Sequence, residues 1–210
     1  MKKKFLSLMM AAAVVATTSV SAFAAETTQN ITVAPNGESE VTIPMQGDIT
    51  DNDGATVPSS ISVTVPTAAN FTVNKDGALQ ASSITITSHG EKVEVVTGNF
   101  KDSTGTKEIE VVAPSTFANG TTDVARNKVS LKVQGTDGTV YLKTETENGK
   151  TGIYDYETDS EVTSTTNKVL GYAVNGTPLK LNITGKAGRN GENKAISDSF
   201  TLMLKIRKAR

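Results

Sequence analysis

From residue 59 onward, apolar and polar positions alternate along the chain with a period of two. Ile61, Val63 and Val65 are separated by Ser62 and Thr64, and Ile84 and Ile86 by Thr85. The same period runs through Val93-Glu94-Val95, Ile109-Glu110-Val111, Val129 to Val133, Leu179 to Ile183, and Phe200, Leu202, Leu204 and Ile206. A strand points successive side chains to opposite faces, so each stretch has one face to bury and one to leave in water. Antiparallel sheets stacked face to face meet that demand, whereas strands of a parallel sheet, covered on both sides, read as unbroken apolar runs. Between the strands stand Asn74-Lys75-Asp76-Gly77, Thr136-Asp137-Gly138, Glu147-Asn148-Gly149 and Val174-Asn175-Gly176, the Gly-bearing signals of hairpin turns. With about ten strand candidates and little helical periodicity, the predicted fold is an all-β antiparallel sandwich of immunoglobulin-like or jelly-roll type over residues 59–210.

Two segments depart from this pattern. Residues 25–58 hold short strand candidates at Ile31-Thr32-Val33 and Val41-Thr42-Ile43, split by Pro35-Asn36-Gly37 and followed by the polar run from Gln46 to Thr56. They are expected to form an N-terminal extended arm or an edge hairpin. Residues 145–167 are poor in aliphatic side chains and rich in Thr, Glu and Asp, and read as a polar hairpin insertion. Tyr154 and Tyr156 share one side of it if the segment is extended.

The first 24 residues change the setting. Met-Lys-Lys-Lys, an apolar stretch from Phe5 to about Val20, and Ser21-Ala22-Phe23-Ala24 make up a signal peptide with cleavage after Ala24. The apolar stretch is broken by Ser7, Thr17, Thr18 and Ser19, short of the ~20 residues a spanning helix needs, so no membrane insertion is expected after cleavage. The chain has no cysteine, which removes both a lipid-modified Cys anchor and disulfide staples, and fits export from a Gram-positive bacterium. No sortase-type motif closes the C-terminus. Losing Lys2, Lys3 and Lys4 takes the formal net charge from −1 to −4, which argues against a nucleic-acid partner.

Candidate chemistry is sparse. His89 is the only histidine; it sits in a turn, cannot form a two-His metal motif, and has no nucleophile-elbow serine to serve. Asp48, Asp51, Asn52, Asp53 and Gly54 supply oxygens of the kind calcium takes, but Ile49 and Ser60 fall where an EF-hand loop needs ligands. Calcium is thus unsupported by a complete motif, and no other cofactor is expected. The 22 acidic residues offer no pair marked for glycoside hydrolysis. Tyr154 and Tyr156 are the candidate glycan contacts, in a chain without the Trp that makes the strongest platform. Lys205, Arg207, Lys208 and Arg210 are candidate contacts for anionic wall polymers.

The stretch Ser62 to Pro66, Phe71 to Gly77, Ile84 to Thr87 and Val93 to Val95 resembles the opening of small secreted β-sandwich proteins of Firmicutes, some of them surface or biofilm-matrix proteins. More distantly, a signal peptide, an extended N-terminal arm and a Cys-free sandwich resemble the TasA and camelysin type of biofilm fibre subunit. That resemblance implies a secreted, non-enzymatic subunit at the cell surface. Its partners are copies of itself or other extracellular matrix subunits, joined by donor-strand exchange through the arm. Ile31, Val33, Val41 and Ile43 would then be the assembly anchors, since an added strand brings backbone bonds and alternate side-chain anchors to an open sheet edge. A monomeric adhesin or glycan-binding module built around Tyr154 and Tyr156 is the alternative from another class.

Overall fold

The computed structural model describes residues 28–33, 38–44, 61–103, 105, 107–144, 149–163, 165–192 and 195–209, with backbone alone at 28–33, 38–44 and 61. Residues 1–24, expected to be a signal peptide, and the acidic run from Asp48 to Gly54 lie outside the described residues. Fourteen strands are found among the described residues: β1 (Thr28–Val33), β2 (Glu38–Pro44), β3 (Ile61–Pro66), β4 (Phe71–Val73), β5 (Leu79–Ala81), β6 (Ile84–Ser88), β7 (Val93–Asp102), β8 (Glu110–Val111), β9 (Lys128–Gln134), β10 (Thr139–Leu142), β11 (Ile153–Asp155), β12 (Val169–Ala173), β13 (Leu179–Ala187) and β14 (Phe200–Lys208). The count exceeds the expected ten because β4, β5 and β11 are three residues long, too short for alternation to reveal.

The strands build an antiparallel sandwich. The larger sheet runs β1-β3-β6-β13-β9-β10-β11, with β8 set parallel on β9; the smaller runs β12-β7-β14-β2; and β4 pairs with β5. Alternation sorts the side chains as the sequence requires. Val63, Val65, Ile84, Ile86, Leu131, Val133, Leu179 and Leu181 from the larger sheet meet Val93, Val95, Leu170, Leu202, Leu204 and Ile206 from the smaller in one buried cluster. At one end Phe200 stacks between Phe71 and Phe100, with ring centroids 6.0 and 5.6 Å away.

Strict alternation breaks in β7. Thr97 pairs with Leu204 and Asn99 with Met203, so Gly98 is an extra residue that shifts the register. Val93, Val95 and Thr97 are buried before it and Phe100 after it, so the bulge switches the inward phase from odd to even positions.

The N-terminal segment closes an edge on each sheet. β1 pairs with β3 from Thr28↔Pro66 to Val33↔Ile61, and β2 pairs with β14 from Glu38↔Arg207 to Pro44↔Thr201. β1 and β2 therefore join different sheets instead of pairing with one another as a hairpin. Within 145–167, β11 extends the larger sheet beyond β10, and Ile153 and Val162 enter the core.

Candidate functional site

The outer face of the larger sheet over β9, β10 and β11 carries the expected glycan residues. A register row crosses four strands: Thr184 on β13, Lys132 on β9, Tyr141 on β10 and Tyr154 on β11. The rings of Tyr141 and Tyr154 lie 5.2 Å apart and 12° from parallel. Tyr156 is not in the strand. Its N–H donates to the Thr139 carbonyl at 3.2 Å, and the residue is 46% exposed.

The turn that carries Tyr156 is organised by Asp155. Its Oδ1 accepts from the N–H groups of Glu157 (2.9 Å) and Thr158 (3.0 Å), the Asx arrangement that mimics a backbone turn. Asp159 then takes φ +56°, a conformation Asp tolerates better than most residues, and accepts a short hydrogen bond from the Tyr141 hydroxyl. Tyr141 thus ties sheet to turn. It was hidden in the sequence because its partner stands 13 positions away in Ile153-Tyr154-Asp155, and only strand register brings them together.

Charged groups surround these rings. The Lys132 ammonium lies 5.3 Å from the Tyr156 ring centroid, and that of Lys143 5.4 Å from Tyr154. Both distances suit cation–π attraction. Lys168 reaches Asp155 at 2.6 Å, and this hydrogen bond, with the two turn N–H groups, holds the Asp155 carboxyl down at about 2. Glu161 is likewise held below its usual range, chiefly by the Thr151 N–H at 2.7 Å and then by Lys150 at 2.9 Å.

The Asp155 shift fixes a pH window. A carboxylate whose folded value is depressed contributes stability above its unfolded value of 3.8 and loses it as pH falls from there to about 2. Lys168→Met is expected to cost about 1 kcal/mol at pH 7, after allowance for solvent screening of a partly exposed pair. The deficit, read from urea midpoints, should shrink towards zero near pH 2. A deficit undiminished at low pH would assign the loss to packing of the lysine stem.

The other candidates are engaged elsewhere. His89 Nε2 lies 2.6 Å from the Thr64 hydroxyl on the surface. At the far end of β14, Arg207 pairs with Glu94, and Lys208 with Glu91 at 3.2 Å, so these two basic residues belong to ion pairs; Arg210 lies outside the described residues. Among the described residues no three His, Cys, Asp or Glu side chains gather as metal ligands.

One cleft, of about 510 Å³, opens where the phenylalanine stack meets the surface, lined by Phe71, Ile109, Arg126, Ile196, Asp198 and Phe200 among others. Its polar groups serve the backbone: Arg126 donates to the Lys75 carbonyl at 2.7 Å, and Asp198 accepts from the N–H groups of Ile109 and Ser199 at 3.1 and 2.8 Å. That set braces the loops around the cleft.

The assembly anchors fall on one pattern. Ile31 stands opposite Val63, Val33 opposite Ile61, Val41 opposite Leu204 and Ile43 opposite Leu202. Val63, Leu202 and Leu204 are buried. All three searches for kinship were negative: no family model, no curated protein and no solved structure matches the chain.

Proposed function

We propose that this chain is a non-enzymatic extracellular structural subunit of a surface or biofilm-matrix fibre, in which the N-terminal strands of one copy complete the sheets of the next. The observation that carries the reading is the placement of β1 and β2 as the outermost strands beside β3 and β14. They are joined to the body through residues 45–60. The same backbone ladder can form against β3 and β14 of another copy, so exchange conserves every hydrogen bond while linking two molecules. Such a contact is head-to-tail and extends into a filament unless it closes. Register supports a specific joint. Glu40 stands opposite Lys205, and Glu38 opposite Arg207, and opposed unlike charges favour this alignment over a slipped one.

The absence of native cysteine makes the test clean. Thr42 and Met203 are Cα partners across β2 and β14, a separation a disulfide can span. Mixing single variants Thr42→Cys and Met203→Cys under oxidation should yield covalent dimers, each with β2 of one chain on β14 of another. In the double variant, an intrachain disulfide should hold the chain as a monomer. Filaments seen for the wild type by negative-stain microscopy should then be missing until reductant is added. A wild type that stays monomeric across concentration and pH, or a locked variant that still polymerises, overturns the proposal.

A further inference from the structure

The cleft at the phenylalanine stack runs along an edge of β4 that no strand covers. The Asn74 N–H donates to the Ala78 carbonyl at 3.0 Å, and the Ser82 N–H to the Asn70 carbonyl at 2.9 Å. Antiparallel ladders alternate, so the even residues of β4 turn their backbone groups towards β5. Phe71, opposite Ala81, and Val73, opposite Leu79, turn theirs away. Every residue from Ala69 to Lys75 lines the cleft and no residue of β5 does, so the outward groups of Phe71 and Val73 face it. The Lys75 carbonyl, next in the same phase, agrees with that direction: Arg126, another lining residue, meets it at 2.7 Å. Phe71 and Val73 have no such backbone partner among the described residues. The cleft is also lined by Ala195, Ile196 and Ser197, which belong to no strand and whose backbone groups are likewise unpaired among the described residues.

We infer that this cleft binds an extended peptide segment of another protein, added to β4 as a third strand of the β4–β5 sheet, with apolar side chains at alternate positions and one carboxylate. Free N–H and C=O groups on a strand edge pair with any extended backbone, and pockets for alternate side chains supply the selectivity. Side chains of the added strand that point the same way as Phe71 and Val73 meet a floor of Phe200, Val129, Ile109 and Ile196. Phe71, Val73, Ile109 and Ile196 are only half-buried, so apolar surface remains to be covered. The volume of about 510 Å³ falls within the roughly 300–1,000 Å³ of ligand clefts. Charge sets the acidic position. The lining holds two cations, Lys75 and Arg126, and one carboxylate, Asp198, which already accepts from the Ile109 and Ser199 N–H groups. Asp76 and Glu108 are exposed and lie outside the lining. Arg126 spends one guanidinium N–H on the Lys75 carbonyl and pairs with no described carboxylate, so its remaining donors can take one acidic side chain of the peptide.

The test is an NMR titration of the chain from residue 25 with the capped peptide acetyl-Val-Thr-Val-Thr-Asp-amide, whose only charge is the Asp carboxylate. The amides of Phe71 and Val73 should shift and exchange more slowly with solvent, while Thr72, already paired with Gln80, gains little protection. The same peptide N-methylated throughout keeps its side chains, loses its backbone donors and should not bind. Val73→Pro removes a donor that faces the cleft while leaving the ladder to β5, and should weaken binding several-fold. Replacing the peptide Asp by Asn should cost the wild type about tenfold in affinity and the Arg126→Gln variant little. Unfolding midpoints check the fold of each variant, and the N-methylated peptide tests the ladder on the wild type even if Val73→Pro does not fold. The inference falls if millimolar peptide shifts nothing, if the N-methylated peptide binds as well, if a folded Val73→Pro binds as wild type, or if the Asn penalty is equal in both proteins. It also falls if Val73→Pro dissolves assemblies of the wild type, which would make the occupant a second copy of this chain.

Discussion

Phe200→Ala is expected to lower stability by about 3 kcal/mol, the low end of the range for removing a buried aromatic ring. Phe200 is 1% exposed, begins β14, and has Phe71 and Phe100 stacked on its two sides. Truncation removes both ring contacts, each worth about 0.5–1.5 kcal/mol beyond area burial. It also joins the emptied space to the cleft, which Phe200 helps to line. Water can then enter, which spares the cost of a dry void. Urea unfolding at constant slope should report the loss as a lower midpoint. Leu204→Ala, deeper on the same strand and 1% exposed, leaves a closed cavity and should cost as much despite its smaller side chain. A Phe200 variant within 1 kcal/mol of wild type would show that the ring stack is not part of the cooperative core.

The second large effect is expected at Gly135, in the turn between β9 and β10. A Cβ built there would lie 1.9 Å from the Leu170 carbonyl oxygen, and Leu170 is fully buried on β12 of the opposite sheet. The Asp137 N–H donates to that same carbonyl at 3.1 Å, so this turn is one place where the backbones of the two sheets touch. An alanine must push them apart, and neither can rotate away as a side chain would. Gly135→Ala should destabilise by about 3 kcal/mol and weaken the Asp137 bond as well. Gly90 supplies the contrast: nothing lies within 4 Å of its Cβ position and its φ is not in the left-handed region. Gly90→Ala should be neutral or slightly stabilising through the unfolded chain. Equal midpoints for the two alanine variants would refute the close-approach account.

What could be read in the residues alone followed from local rules. A period of two in Val129 to Val133, Leu179 to Ile183 and Phe200 to Ile206 dictates strands with one buried face, and the burial of Leu131, Leu181 and Leu204 follows from it. All-β class, antiparallel pairing and a sandwich were legible for that reason. Tyr156 could be picked out as an aromatic in a polar segment. Its neighbour Lys132 could not, nor could Tyr141 and Lys143 beside Tyr154, because these contacts arise only through register.

Pairing over long sequence separations belongs to the tertiary structure. Val41 and Ile43 look alike in the sequence whether they lie in an arm, a hairpin or an edge strand. Their places opposite Leu204 and Leu202 exist only once β2 lies along β14. The bulge at Gly98, the inter-sheet contact at Gly135 and the tie from Tyr141 to Asp159 are decided the same way. Alternation is a property of one strand and is written in consecutive residues. Register, phase shifts and close approach are relations between strands, and they exist only once the chain has chosen its neighbours.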